Sequence, residues 1–131
     1  MRIYIKLAIT SFLMFIFIGC QQPVEPPLYI WGDYVKTSTE YGMNGQKKEV
    51  LEKHVQELAK IIEESGEKNQ RVAPGIYAEY GQILFETAKK EEAKKYFLLE
   101  KSIYPESAQF IDRIIIKLYG ASIWKKQVSF L

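Results

Sequence analysis

Residues 74–107 read Pro74-Gly75-Ile76-Tyr77-Ala78-Glu79-Tyr80-Gly81-Gln82-Ile83-Leu84-Phe85-Glu86-Thr87-Ala88-Lys89-Lys90-Glu91-Glu92-Ala93-Lys94-Lys95-Tyr96-Phe97-Leu98-Leu99-Glu100-Lys101-Ser102-Ile103-Tyr104-Pro105-Glu106-Ser107. Counted from Pro74, large side chains stand at the fourth, seventh and eleventh places (Tyr77, Tyr80, Leu84) and small ones at the eighth and twentieth (Gly81, Ala93). An aromatic follows at the twenty-fourth (Phe97) and a proline at the thirty-second (Pro105). Ile76, Tyr77, Tyr80, Ile83 and Leu84 recur at helical spacing, so the stretch predicts a helix that starts near Pro74 and runs to about Thr87. A short turn at Ala88-Lys89-Lys90 leads into a second helix carrying Ala93, Tyr96, Phe97 and Leu98, and Pro105 ends it or starts the next. Gly81 and Ala93 allow the two backbones to approach closely, while Tyr77, Leu84 and Phe97 fill the space around that contact.

This spacing is similar to a tetratricopeptide unit, in which two antiparallel helices form a hairpin of 34 residues. One place departs from the pattern: the twenty-seventh, usually small, is Glu100. Its carboxylate is expected either to loosen the packing against a following helix or to stand exposed, where a partner can reach it. A single hairpin of this kind cannot bury its apolar face by itself, so neighbouring helices are needed as partners and caps.

Such helices are legible on both sides. Downstream, Phe110, Ile111, Ile114, Ile115 and Leu118 form another apolar stripe, and Gly120 stops it. The run Ile114-Ile115-Ile116, strand-like by itself, is carried into the helix by that longer periodicity. Upstream, Leu51, Val55, Leu58 and Ile62 mark one face of a strongly amphipathic helix, widened by Ala59 and Ile61, that ends at Ser65-Gly66. Gly42-Met43-Asn44-Gly45 is a break, and residues 28–41 are expected to form a first helix with Tyr34, Ser38 and Tyr41 in register. The fold class is therefore all-α: about five helices in tetratricopeptide-like antiparallel hairpins, a fragment of an α-solenoid over residues 28–119. Residues 120–131, with Trp124, Phe130 and Leu131, show no clear period and are left unassigned as a tail.

The first nineteen residues read differently. Arg2 and Lys6 precede an almost wholly apolar run over residues 7–18, too short to span a bilayer comfortably. Residues 1–19 are read as a signal peptide. They end in Phe17-Ile18-Gly19-Cys20, which resembles the lipobox of bacterial lipoproteins, with Gly19 as the small residue before the acylated cysteine and Phe17 where leucine is commoner. Cys20 is the one cysteine in the chain, so no internal disulfide is available and acylation removes an otherwise free thiol. Residues 20–27 then form a lipidated cysteine and a stiff, proline-rich tether. Removal of the signal takes away two cations and no anion, leaving sixteen Lys and Arg against sixteen Asp and Glu. A neutral domain without a basic face argues against nucleic acid as a partner.

Three motifs together resemble a family of small bacterial lipoproteins classed as a domain of unknown function. They are Pro27-Leu28-Tyr29-Ile30-Trp31-Gly32-Asp33-Tyr34, Pro74-Gly75-Ile76-Tyr77-Ala78-Glu79-Tyr80-Gly81, and Tyr104-Pro105-Glu106-Ser107 followed by Phe110-Ile111-Asp112-Arg113. The resemblance covers nearly all of residues 20–119. It implies a genomic context beside a second small lipoprotein and a protein related to the curli-secretion channel subunit, hence work in an outer-membrane assembly. It lends no catalytic residue and no cofactor. Gln21, not aspartate, follows the cysteine, which by the same kind of resemblance implies an outer-membrane site facing the periplasm in a Gram-negative host.

The residues offer little convergent chemistry. His54, the single histidine, is expected among charges on the outer side of its helix with Glu57 nearby, and with Cys20 acylated it has no His or Cys to join it as a metal ligand. Glu91, Glu92 and Glu100 with Lys89, Lys90, Lys94, Lys95 and Lys101 read as a solvated helix face. Tyr29, Trp31, Tyr34 and Tyr41 exceed what the first helix needs for a core, although core packing explains most of them; Trp31 and Tyr34 either dock that helix on the hairpin or, with Tyr29, present a partner-binding edge. The expectation is a lipid-anchored helical adaptor for other envelope proteins, with no catalysis, metal or cofactor. The alternative is an accessory or enzyme that binds cell-wall glycan.

Overall fold

The computed structural model describes Met1 and residues 27–120, and all structural statements concern these. Residues 2–19 of the segment read as a signal peptide, Cys20 and the tail after Gly120 lie outside them. The described chain is all-α: α1 (Tyr34–Asn44), α2 (Lys48–Glu67), α3 (Ile76–Glu86), α4 (Lys90–Ile103), a 3₁₀ turn (Pro105–Ser107) and α5 (Ala108–Tyr119), with no strand. Helices pack in chain order, α1 on α2, α2 on α3, α3 on α4 and α4 on α5, so α3 is the inner layer.

Residues 28–33 are not helical, contrary to the sequence expectation. Gly32 takes a left-handed φ of +46°, and a Cβ there would come within 2.2 Å of Glu57 Oε1. The chain therefore crosses α2 as a strap before α1 begins, with the Asp33 N–H donating to Glu57 Oε1 at 2.7 Å. At its other end α1 continues through Gly42 to Asn44, beyond the expected break.

The buried line of α2 is Val50, His54, Leu58, Ile61 and Ser65, whereas Leu51, Val55 and Ile62 are half-buried. The helix is thus rotated from the apolar stripe read in the sequence, because α1 and α3 flank it on two sides and polar residues lie in the seam. Its end also moves: Asn69, not Gly66, takes the left-handed turn position (φ +51°), and the Gln70 N–H reaches back to the Ser65 carbonyl at 2.9 Å. Ala88 plays the same part between α3 and α4, at φ +66°, with the Lys89 N–H on the Leu84 carbonyl.

Two apolar clusters flank α3. Leu58, Ile61, Val72, Ala73, Ile76 and Ile83 lie on the α2 side, and Leu84, Ala93, Phe97, Ile111 and Ile115 toward α4 and α5, with Tyr80 touching both. The close approach read in the sequence is present. A Cβ on Gly81 would stand 3.1 Å from the Ala93 carbonyl oxygen and 3.2 Å from the Phe97 ring. The Tyr119 hydroxyl donates to the Lys90 carbonyl, fixing the end of α5 against the start of α4 and making this pair antiparallel too. Phe110, expected in the α5 core stripe, is instead 60 % exposed, because the turn at Pro105–Ser107 sets Ile111 and Ile115 inward.

Candidate functional site

The densest polar constellation joins three helices. His54, fully buried on α2, has Nδ1 3.0 Å from Thr37 Oγ1 of α1 and Nε2 2.9 Å from Glu79 Oε1 of α3. The Tyr34 hydroxyl donates to the second Glu79 oxygen at 2.8 Å. Tyr41 lies flat on the imidazole, ring centroids 5.0 Å apart and planes 18° apart. The expectation of an outward His54 beside Glu57 is therefore wrong: the imidazole faces inward, and Glu57 holds the strap instead.

The charges follow from the contacts. Burial raises the Glu79 carboxyl, but hydrogen bonds from His54 and Tyr34 outweigh it and hold the carboxyl below its usual range. Tyr34 is pushed up to about 12 by burial and by its bond to Glu79. Glu79 is thus an anion at neutral pH, and Nε2 must carry a hydrogen to bond it. The Thr37 hydroxyl also lies 3.2 Å from the Tyr34 carbonyl. It can donate to a bare Nδ1, or donate to that carbonyl and accept from a protonated Nδ1, so either imidazole charge state is satisfied.

Hydroxyl, imidazole and carboxylate in sequence have the outline of a nucleophilic triad. The environment gives them another role. Thr37 is 3 % exposed and His54 fully enclosed, so no substrate atom reaches the hydroxyl. The network clips α1 to α2 and α3.

A second enclosed carboxyl explains the departure from the repeat pattern. Glu100 is 2 % exposed, and its Oε1 accepts the Gly75 N–H at 2.8 Å. The start of α3 has no side-chain cap of its own, and a carboxyl supplied by α4 meets the donors there. Burial pushes this carboxyl above its usual range, against the pull of the Gly75, Ala78 and Tyr77 N–H groups. Its Oε2 is buried and has no hydrogen-bond partner among the described residues. Neither loosened packing nor an exposed carboxylate results, so Glu100 leaves the set of surface candidates.

The aromatic candidates divide. Tyr29 is half-buried beside Tyr104, whose hydroxyl donates to the Val72 carbonyl and is pushed up to about 12 by burial and by the Tyr29 hydroxyl. Arg71 stacks over the Tyr104 ring and donates to the Ile103 carbonyl, while Gln70 donates to the Pro27 carbonyl, so strap, loop and the end of α4 are tied together. Tyr34 is half-buried in the network. Trp31 packs on Tyr34 at 5.6 Å yet remains 44 % exposed. Of the repeat positions, Gly81, Leu84, Ala93 and Phe97 are buried, Tyr77 and Tyr80 meet Tyr96, and Pro105 opens the 3₁₀ turn.

Large apolar side chains also remain exposed on the two end helices: Val35 (70 %) and Met43 (72 %) on α1, Phe110 and Ile116 (41 %) on α5. Among the described residues no three His, Cys, Asp or Glu side chains are grouped to hold a metal ion, and no helix is long and apolar enough to cross a membrane. Residues 28–114 match a family model described as a domain of unknown function (DUF4810). No curated protein and no solved structure matches the chain.

Proposed function

The chain belongs to the DUF4810 family, and from that premise we propose that it is a lipid-anchored helical adaptor mediating protein–protein contacts in a bacterial envelope assembly. Acylated Cys20 holds it at the outer membrane facing the periplasm. The observation that supports this reading is the distribution of side chains. The reactive-looking groups His54, Thr37, Glu79 and Glu100 are enclosed and bonded to other helices, while both end helices offer large apolar groups to the outside.

The outer arc of α5 is suited to a protein partner. Helical geometry places Phe110 and Ile116 on either side of Arg113 and Lys117 there, a mix of apolar anchor and cation that resembles the centre of a protein interface more than a solvated face. The partners implied by the lipoprotein resemblance are the neighbouring secretion-channel-like lipoprotein and the second small lipoprotein.

Photo-crosslinking from position 110 in native membranes, with mass identification of the product, tests the reading. A crosslink to either neighbouring lipoprotein supports it. Retention on isolated cell-wall glycan with no protein crosslink defeats it in favour of a glycan-binding accessory.

A further inference from the structure

The outer face of α1, one of the two exposed apolar faces, supports a more specific reading than a general protein contact. On the helical wheel Val35, Thr39, Gly42 and Met43 face away from α2, opposite the inward line of Tyr34, Thr37 and Tyr41. Val35 and Met43 are 70 % and 72 % exposed, and the adjoining strap adds Leu28 at 72 % and Trp31 at 44 %. Lys36 is the charge on this arc. The nearest α1 carboxylate, Glu40, is turned to its edge and held by Lys53 at 2.8 Å. Lys47 and Lys48 stand exposed just beyond the helix. An arc of apolar groups, lysines and an aromatic, flanked at its edge by the exposed Asp33 and by a Glu40 that Lys53 neutralises, is the composition of a helix resting in a lipid interface.

Covalent geometry bounds its distance from the proposed anchor at Cys20. Pro27 is the seventh residue after Cys20, and extended backbone spans at most about 3.3–3.6 Å per residue, so the strap begins within roughly 25 Å of the acylated sulfur. The Gln70–Pro27 and Asp33–Glu57 hydrogen bonds then hold the strap, and α1 after it, in place on the body of the domain. A surface tethered this closely meets the bilayer at an effective concentration in the millimolar range, enough to populate a weak contact.

We infer that the outer face of α1, together with Leu28 and Trp31, seats against the lipid surface that carries the acyl anchor, leaving α5 turned toward protein partners. This rests on the lipid-anchor reading above, and the test separates the two. With the Cys20 sulfur acylated, Met43→Cys and Val35→Cys each supply a single reactive thiol for an environment-sensitive fluorophore, and Glu63→Cys, exposed on α2, supplies a control. The full lipidated chain is placed in vesicles of phosphatidylethanolamine and phosphatidylglycerol.

Probes at 35 and 43 should shift to the blue and be quenched by brominated acyl chains, while the probe at 63 stays in water. Val35→Glu with Met43→Glu should abolish any residual vesicle binding of the unacylated mature chain without lowering its melting temperature. Acylated, vesicle-bound protein whose probes at 35 and 43 remain in water overturns the seating and leaves the anchor standing. A photo-crosslinker at 43 that labels protein in native membranes instead of lipid overturns it in favour of a protein contact. A Cys20 without acyl mass overturns both.

Discussion

His54 Nε2 and Glu79 Oε1 lie 2.9 Å apart across the seam of α2 and α3, and the opposite ring nitrogen reaches Thr37 on α1, so one imidazole joins three helices. Removing it leaves a cavity under Tyr41 and deprives both Glu79 and Thr37 of a partner. His54→Ala is expected to cost about 2–4 kcal/mol of folding stability, read as a lowered urea midpoint. Because the loss is shared, the double variant with Glu79→Ala should be less destabilised than the sum of the singles.

Two enclosed carboxyls should respond to pH in opposite senses. Glu79 is held below its usual value near 4.5, so its contribution is present above that value and disappears as pH falls through the lowered one. The native chain should therefore lose stability relative to Glu79→Gln on acidification. Glu100 is held above the same reference, so folding favours its protonated form. Its contribution is fully present below about 4.5 and is lost as pH rises through the elevated value. Relative to Glu100→Gln, the native chain should thus weaken as pH rises from that reference. Urea denaturation below about pH 4.5 checks the Glu79 slope, and the same measurement from that reference up to neutral pH checks the Glu100 slope.

The helices of residues 48–119 were legible because their apolar residues repeat at helical spacing and their ends carry turn residues. The strap was not. Tyr29, Trp31 and Tyr34 look helical in a hydrophobicity pattern, and what breaks the helix, the left-handed Gly32 pressed against Glu57, is a contact made twenty-five residues away. The network was hidden for a related reason. Val50, His54, Leu58, Ile61 and Ser65 form a well-spaced line, but an apolar alphabet skips its polar members, and their partners Thr37 and Glu79 lie on other helices. Tyr34, Thr37 and Tyr41 at helical spacing were the available hint.

Gly81 and Gly66 both lie in helices but should respond to alanine with opposite signs. At Gly81 the added methyl meets the Ala93 carbonyl, a backbone atom that cannot swing aside, and the Phe97 ring. Overpacking of about 1–3 kcal/mol outweighs a propensity gain of up to about 1 kcal/mol. At Gly66 nothing lies within 4 Å, so the propensity gain stands. Melting temperatures should fall for Gly81→Ala and rise for Gly66→Ala.

Ala88 occupies a left-handed position that its Cβ resists, at an exposed turn. Ala88→Gly relieves that strain and is expected to stabilise by about 0.5–1 kcal/mol, because the steric gain exceeds the added freedom of the unfolded chain. In a domain of this size, 1 kcal/mol raises the melting temperature by about 4–8 °C, within reach of calorimetry.

Phe110 separates folding from association. It is 60 % exposed at the first turn of α5, while Ile111 and Ile115 hold that helix to the core, so Phe110→Glu should change stability by no more than about 0.5 kcal/mol. If the outer arc of α5 anchors a protein partner, the same change places a carboxylate where an apolar side chain is desolvated. A loss of at least about 2 kcal/mol, roughly thirtyfold in affinity, should follow. Co-purification of the proposed lipoprotein partners from membranes, scored beside the melting temperature of the same variant, distinguishes the cases: an unaltered complex places the interface elsewhere, and a collapsed melting temperature makes Phe110 part of the core.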